Sequence, residues 1–121
     1  MTYTFTIPDF PTSCNRLYLI NYGHRVVYLS PAGHMYKNKV KLHMPPMEFP
    51  PNAFFEVSLR FYGNWFFKNG KVKRADVQNL IKILIDALFE RIGVDDSRIF
   101  AIAAFKEQSE VRKVEVRIEG I

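Results

Sequence analysis

The stretch Asp76-Val77-Gln78-Asn79-Leu80-Ile81-Lys82-Ile83-Leu84-Ile85-Asp86-Ala87-Leu88-Phe89-Glu90-Arg91-Ile92-Gly93 decides the fold. Val77, Leu80, Ile81, Leu84, Ile85, Leu88 and Ile92 recur at helical spacing, so one side of a helix is apolar and needs a neighbour to cover it. The periodicity predicts a helix over residues 76–91, capped by Asp76 and ended by Gly93 in a left-handed conformation.

The period changes on either side of this helix. Upstream, Phe55, Val57, Leu59 and Phe61 alternate with Glu56, Ser58 and Arg60, the pattern of a half-buried strand. Downstream, residues 99–105 and 111–118 read as two strands with a turn near residues 107–110. In the second, Val114, Val116 and Ile118 alternate with Glu115, Arg117 and Glu119. Residues 2–7 predict a first strand with Tyr3, Phe5 and Ile7 on one face, ended by Pro8 and Pro11. Residues 18–29 read as a short hairpin or ordered loop turning at Asn21-Tyr22-Gly23. Ser30 before Pro31 is a helix start, with the stop before Pro45-Pro46. The expected fold class is α+β: a single domain over residues 1–121, with a small mixed β-sheet and two main helices.

Composition narrows the function classes. Hydrophobic residues make up 48% and aromatics 15%, enough to build a core and to exclude long disorder. The single cysteine, Cys14, excludes a disulfide framework and a cysteine-built zinc site. His24, His34 and His43 have no zinc-ligand spacing, and there is no glycine-rich phosphate loop. Seventeen Lys and Arg against twelve Asp and Glu give a net charge of +5, which favours a polyanionic partner. No stretch is long and apolar enough to span a bilayer, and residues 1–10 do not read as a signal peptide. The expected location is cytoplasmic, with no membrane partner.

Three features carry possible chemistry. Asp76, Asn79, Lys82, Asp86 and Glu90 form a polar stripe opposite the apolar helix face. Taken alone, that stripe reads first as a solvated surface stabilised by charge pairs, as on any amphipathic surface helix. Asp95-Asp96 follows Gly93. If the next strand lies beside the helix start, these carboxylates approach Asp76, and a hard divalent cation offsets their repulsion. Lys68, Lys71, Lys73 and Arg74 make a basic loop with its turn at Asn69-Gly70. This loop is suited to holding a phosphate backbone, or else is a hairpin tip kept soluble by charge. Trp65, Phe66 and Phe67 precede it and read as core or interface rather than as a base-stacking platform.

These residues resemble a known family. The run Asp76-Val77-Gln78-Asn79-Leu80-Ile81-Lys82, then Asp86-Ala87-Leu88, then Gly93-Val94-Asp95-Asp96-Ser97, resembles the RusA family of Holliday-junction resolvases, whose pattern is D-x-D-N-x-x-K, D-A-L and a D-D pair. Ile7-Pro8-Asp9-Phe10-Pro11-Thr12-Ser13-Cys14-Asn15-Arg16 is similar to the family's P-x-x-P-[ST]-x-N loop. Leu29-Ser30 with Gly33 and Tyr36 is similar to its S-x-x-G-x-x-Y helix start. The resemblance covers nearly the whole chain, in matching order.

The resemblance implies a homodimeric, Mg²⁺-dependent endonuclease that nicks DNA four-way junctions in recombination and repair, of a kind common in bacteria and prophages. It implies catalytic roles for Asp76, Lys82 and Asp96, and metal ligation by Asp76, Asp96, Asp95 and Gln78. It implies DNA contacts from Lys68, Lys71, Lys73, Arg74, Asn15 and Arg16.

The pattern departs at Gln78, where the family has its second aspartate. An amide oxygen can ligate a metal but brings no charge and cannot act as a carboxylate base. Glu48, Glu56 and Asp86 are the acids available to compensate, and the sequence does not choose among them. Two other readings stay open. One is a weakened or inactive junction-binding protein on the same scaffold, with Gln78 as its mark. The other is a small basic nucleic-acid-binding module without metal.

Overall fold

A computed structural model describes residues 1–10, 17–73 and 77–121. The chain runs β1 (Thr2–Pro8), β2 (Tyr18–Asn21), β3 (Val26–Leu29), α1 (Pro31–His43), β4 (Phe55–Gly63), α2 (Gln78–Ile92), a short 3₁₀ turn (Asp96–Arg98), β5 (Ile99–Gln108) and β6 (Lys113–Gly120). Four strands form a mixed sheet in the order β1-β6-β4-β5, and β2 and β3 pair as a separate hairpin. This is the expected α+β class, with two helices and a small mixed sheet.

Alternation along β4 builds the core. Phe55, Val57, Leu59 and Phe61 are buried, and Val57, Leu59 and Phe61 stand opposite Ile118, Val116 and Val114 of antiparallel β6. Each such cross-strand pair adds packing on the same face. Leu80, Ile83, Leu84, Ala87 and Leu88 of α2 are fully buried within the same core, and Phe89 meets Phe55 edge to face at 5.1 Å. Replacing a side chain such as Leu84 by Ala costs about 2–5 kcal/mol, the transfer term plus the cavity left behind.

The helix ends follow local chemistry. Ser30 Oγ accepts from the Gly33 amide at 3.0 Å and Pro31 opens α1. Gly33 itself is required by close packing, because a Cβ there lies 2.6 Å from the Leu17 carbonyl oxygen. Gly93 ends α2 with φ +80, as its position in the sequence predicts. The start of α2 differs from expectation: its cap is Val77, without a side-chain hydrogen bond, and the first helical residue is Gln78.

The two helices are clasped by charge. Glu90 of α2 accepts from Lys37 and Lys41 of α1, the latter at 2.8 Å, and these two hydrogen bonds hold its carboxyl below the usual glutamate range. Its side chain is 48% exposed, so the clasp contributes at most about 1 kcal/mol. Because the folded pKa is lowered, this stability is present above the ordinary value of 4.5 and is lost as pH falls through the folded pKa. Glu90→Gln is therefore expected to lower Tm by about 2–5 °C at neutral pH. The difference from wild type should vanish in strong acid. Thermal melts across the acid range check this.

β5 sits where sequence pattern alone did not place it. It pairs parallel with β4 and not with β6, although β6 follows it in the chain. The β4–α2–β5 connection is thus a crossover, with α2 returning between two parallel strands. Val57 and Leu59 stand beside Ile102 and Ala104, so those two belong to the α2 side of the sheet, yet both stay exposed. On the opposite side Ala101, Ala103 and Phe105 are exposed as well. Among the described residues, nothing pairs with the outer edge of β5.

Candidate nuclease site

Gln78, Lys82, Asp86 and Glu90 follow one another at four-residue spacing along α2, on the side turned away from the sheet. Glu90 is taken by the α1 lysines. Asp86 accepts from the Tyr18 hydroxyl at 2.9 Å, and the Lys82 ammonium stands 4.2 Å from the centroid of the same tyrosine ring. Burial first, then the hydrogen bond to Asp86 and its charge, push the Tyr18 hydroxyl well above the usual phenol range, so it remains a donor. Sequence reasoning did not single out Tyr18. It lies 68 residues from Asp86, and no local period or motif links the two.

Asp95 and Asp96 line a groove with Asp86, Glu90, Phe89 and Ile85, against the second half of α2. Asp95 caps the 3₁₀ turn by accepting from the Ser97 amide at 2.8 Å, and that bond lowers its pKa. Both aspartates are exposed. Exposed, anionic oxygen donors suit Mg²⁺, which is usually held by one or two carboxylates, waters and substrate phosphate. Among the described residues, no three His, Cys, Asp or Glu side chains form a metal cage.

The placement of Gln78 sharpens this. It opens α2, and Asp86 is eight residues further on, about 12 Å along the axis. Oxygens sharing one Mg²⁺ lie within about 4.2 Å of each other, twice the bond length. The two backbones are thus more than two helical turns apart, and only side chains extended towards each other along the helix could share one ion. In a crossover unit, α2 starts at the end of the sheet where β5 finishes, and Asp95-Asp96 stand at the end where β5 begins. Of the acids considered as substitutes for the missing aspartate, Glu48 lies by β1, its amide donating to the Tyr3 hydroxyl, and Glu56 lies on β4 opposite Glu119. Asp86 is the one of the three that reaches the groove.

The basic segment is a tight ribbon leading towards α2. Phe67 and Lys71 are joined by a 2.8 Å backbone hydrogen bond, Lys73 and Trp65 by another of 2.8 Å, and Gly70 takes φ +84 in the turn. Lys68 and Lys71 project from it exposed, and Lys73 stands over the Phe67 ring at 5.7 Å. Trp65 is buried, its indole N–H donating to the Glu107 carbonyl at 2.9 Å, so it is core and is not free to form an interface. Phe66 and Phe67 are exposed. Asn15, Arg16, Arg74 and Asp76, with their expected roles, and Cys14 lie outside the described residues.

No described helix is long and apolar enough to cross a membrane. Nothing among curated proteins matches the chain. The family model of endodeoxyribonuclease RusA matches residues 8–119, from the last residue of β1 through both helices and β2–β5 to all but the final residue of β6. The chain belongs to the RusA family of endodeoxyribonucleases, the nucleases of Holliday-junction resolution.

Proposed function

We propose that this chain acts as one domain in a cytoplasmic homodimer that uses Mg²⁺ to cut four-way DNA junctions by paired nicks. The observation that carries this reading is β5. It is ten residues long, uncharged from Ile99 to Phe105, exposed on both faces and unpaired along its outer edge among the described residues. Such an edge is a template for another strand. A second copy fits it best, because an uncharged strand pairs with itself about a twofold axis without bringing like charges together. A polyanion finds no cation along this run. The exposed Phe100, its ring tilted against Phe54 with centroids 4.4 Å apart, and Ile102 give that pairing apolar area to bury.

Antiparallel pairing also explains the separation of the motif. A partner β5 running the other way begins at the end of the sheet where α2 of the first chain starts. The partner's Asp95 and the partner's Asp96 then lie at the same end as Gln78, which follows Asp76 by two residues in the sequence. Donors that one chain holds apart are brought together by two. Two such sites related by a twofold axis match the two equivalent strands of a junction.

Asp76, Gln78, Asp95 and Asp96 are the residues that would hold Mg²⁺. When bound, the cation polarises the scissile phosphate and eases deprotonation of a bound water. Lys82, an ammonium within the first turns of α2, offsets charge building on the phosphate. Lys68, Lys71, Lys73 and Arg74 hold the backbone, joined by Asn15 and Arg16 as the family pattern implies. The deciding experiment is incubation of the purified chain with a labelled four-way junction, with and without Mg²⁺. Symmetric nicks that require the metal support the proposal. Binding without cutting at any Mg²⁺ concentration would favour a binding-only protein marked by Gln78.

Junction affinity is expected to fall steeply with salt. Changing Lys71, Lys73 and Arg74 together to Ala should reduce the slope by about one unit for each phosphate that is no longer neutralised. A triple variant with the wild-type slope would make the ribbon a solvated tip.

A further inference from the structure

We propose that Tyr18 is a positioning residue that keeps Lys82 available to the substrate phosphate by standing between it and Asp86. The proposal rests on the endonuclease reading given above and names a residue that the family motif does not contain.

Lys82 and Asp86 are four residues apart on α2, a spacing at which a lysine and a carboxylate reach each other and pair. Among the described residues they do not: the ion pairs there are those of Glu90, Glu107, Asp9 and Glu119, and Asp86 is in none of them. Tyr18 occupies both groups instead. Its hydroxyl donates to Asp86 Oδ2 at 2.9 Å, and its ring face lies under the Lys82 ammonium at 4.2 Å. A neutral donor thus satisfies the carboxylate, and the π-face holds the cation electrostatically without neutralising its charge. The Lys82 N–H groups turned away from the ring stay available to an incoming phosphate. The ring is held in turn by its own strand, since Tyr18 pairs with Leu29 in the β2–β3 hairpin.

The same geometry assigns Asp86. Its carboxylate anchors Tyr18, so it is not the acid that replaces the family aspartate at Gln78. Removing the tyrosine hydroxyl releases Asp86 to pair with Lys82, and removing the charge of Asp86 as well cancels that competition. A purely structural tyrosine gives no such rescue.

The test compares wild type, Tyr18→Phe, Asp86→Asn and the double variant in single-turnover cutting of a four-way junction in Mg²⁺. Tyr18→Phe is expected to cut about tenfold more slowly, a smaller loss than removal of a transition-state donor itself. Its junction Kd should stay within about twofold, because the phosphate-tracking cations are untouched. Asp86→Asn alone should cut within about twofold of wild type, and the double variant should regain most of the lost rate. An unchanged rate in Tyr18→Phe, or a double variant no better than the single, overturns the proposal. Loss of cutting by Asp86→Asn alone also overturns it and makes Asp86 a ligand.

A second measurement does not depend on cutting. Lysines ¹³C-methylated on nitrogen should show the Lys82 signals moved upfield by the Tyr18 ring in wild type. The shift should be lost in Tyr18→Phe and recovered in the double variant. If wild type does not cut, the endonuclease reading fails while this pattern still decides the Tyr18 arrangement. Lys82 signals without a ring-current shift in wild type overturn it.

Discussion

Asp76→Asn and Asp96→Asn are each expected to abolish junction cutting, and an equal mixture of the two inactive proteins is expected to nick again. Each substitution removes one anionic oxygen from a hard-cation site. The rate should fall by about a thousandfold or more, the scale of removing one well-placed charged group from a transition state. Junction binding should persist or tighten, since removing a carboxylate also removes its repulsion of phosphate. Restoration on mixing follows from building each site across two chains. In a mixed dimer one site combines both substitutions and the other combines intact Asp76 with the partner's intact Asp96. That dimer nicks one strand and not its symmetric mate. Sites built within single chains would leave every site of the mixed dimer with one defect, and no nicking would return. Gln78→Asp adds charge at the same place and is expected to lower the Mg²⁺ concentration needed for cutting. Denaturing gels of junctions labelled on each strand in turn read all of these outcomes.

Ile102→Glu is expected to convert a dimer into a monomer of 14.2 kDa that keeps its fold and loses cutting. Ile102 is 49% exposed in the isolated chain, so a carboxylate there disturbs no core. In a β5–β5 pair it lies in the interface of both chains, and twofold symmetry buries the unpaired charge twice. The dimer dissociation constant should rise by about a hundredfold or more. Analytical ultracentrifugation gives the mass, and circular dichroism the fold. A single cysteine at Ala103, near the centre of the strand, placed in a Cys14→Ser background, should link two chains on oxidation. A wild type that sediments as a monomer while cutting both strands would remove β5 from the proposal. So would Ile102→Glu remaining fully dimeric.

Both effects trace to features with very different visibility in the sequence. The two helices are legible because their information is local: a 3.6-residue period, Ser30-Pro31 at one start, Gly93 at one end. The half-buried strands are legible for the same reason, since alternation is a property of neighbours. The order of motif residues is enough to suggest the RusA family, and the match over residues 8–119 agrees with it. Capping chemistry alone starts α2 too early, because Asp76 is a good capping residue. The chain enters the helix instead through Val77, at φ −89 and ψ 0, which needs no side-chain cap.

The sequence by itself determined which residues carry charge, which faces are apolar, and that an amide, Gln78, stands in the run from Asp76 to Lys82. Tertiary structure alone decided which of these meet. Strand pairing is non-local, and the run at residues 99–105 has the same pattern whether it joins β6 as a hairpin or crosses over to lie beside β4. The crossover puts Asp95-Asp96 at the far end of α2 from Gln78, leaves β5 bare, and so makes a second chain part of the reading. The contact of Tyr18 with Lys82 and Asp86 was likewise invisible. It joins a hairpin to a helix across more than sixty residues, and only the packing of the hairpin on α2 brings the ring between them.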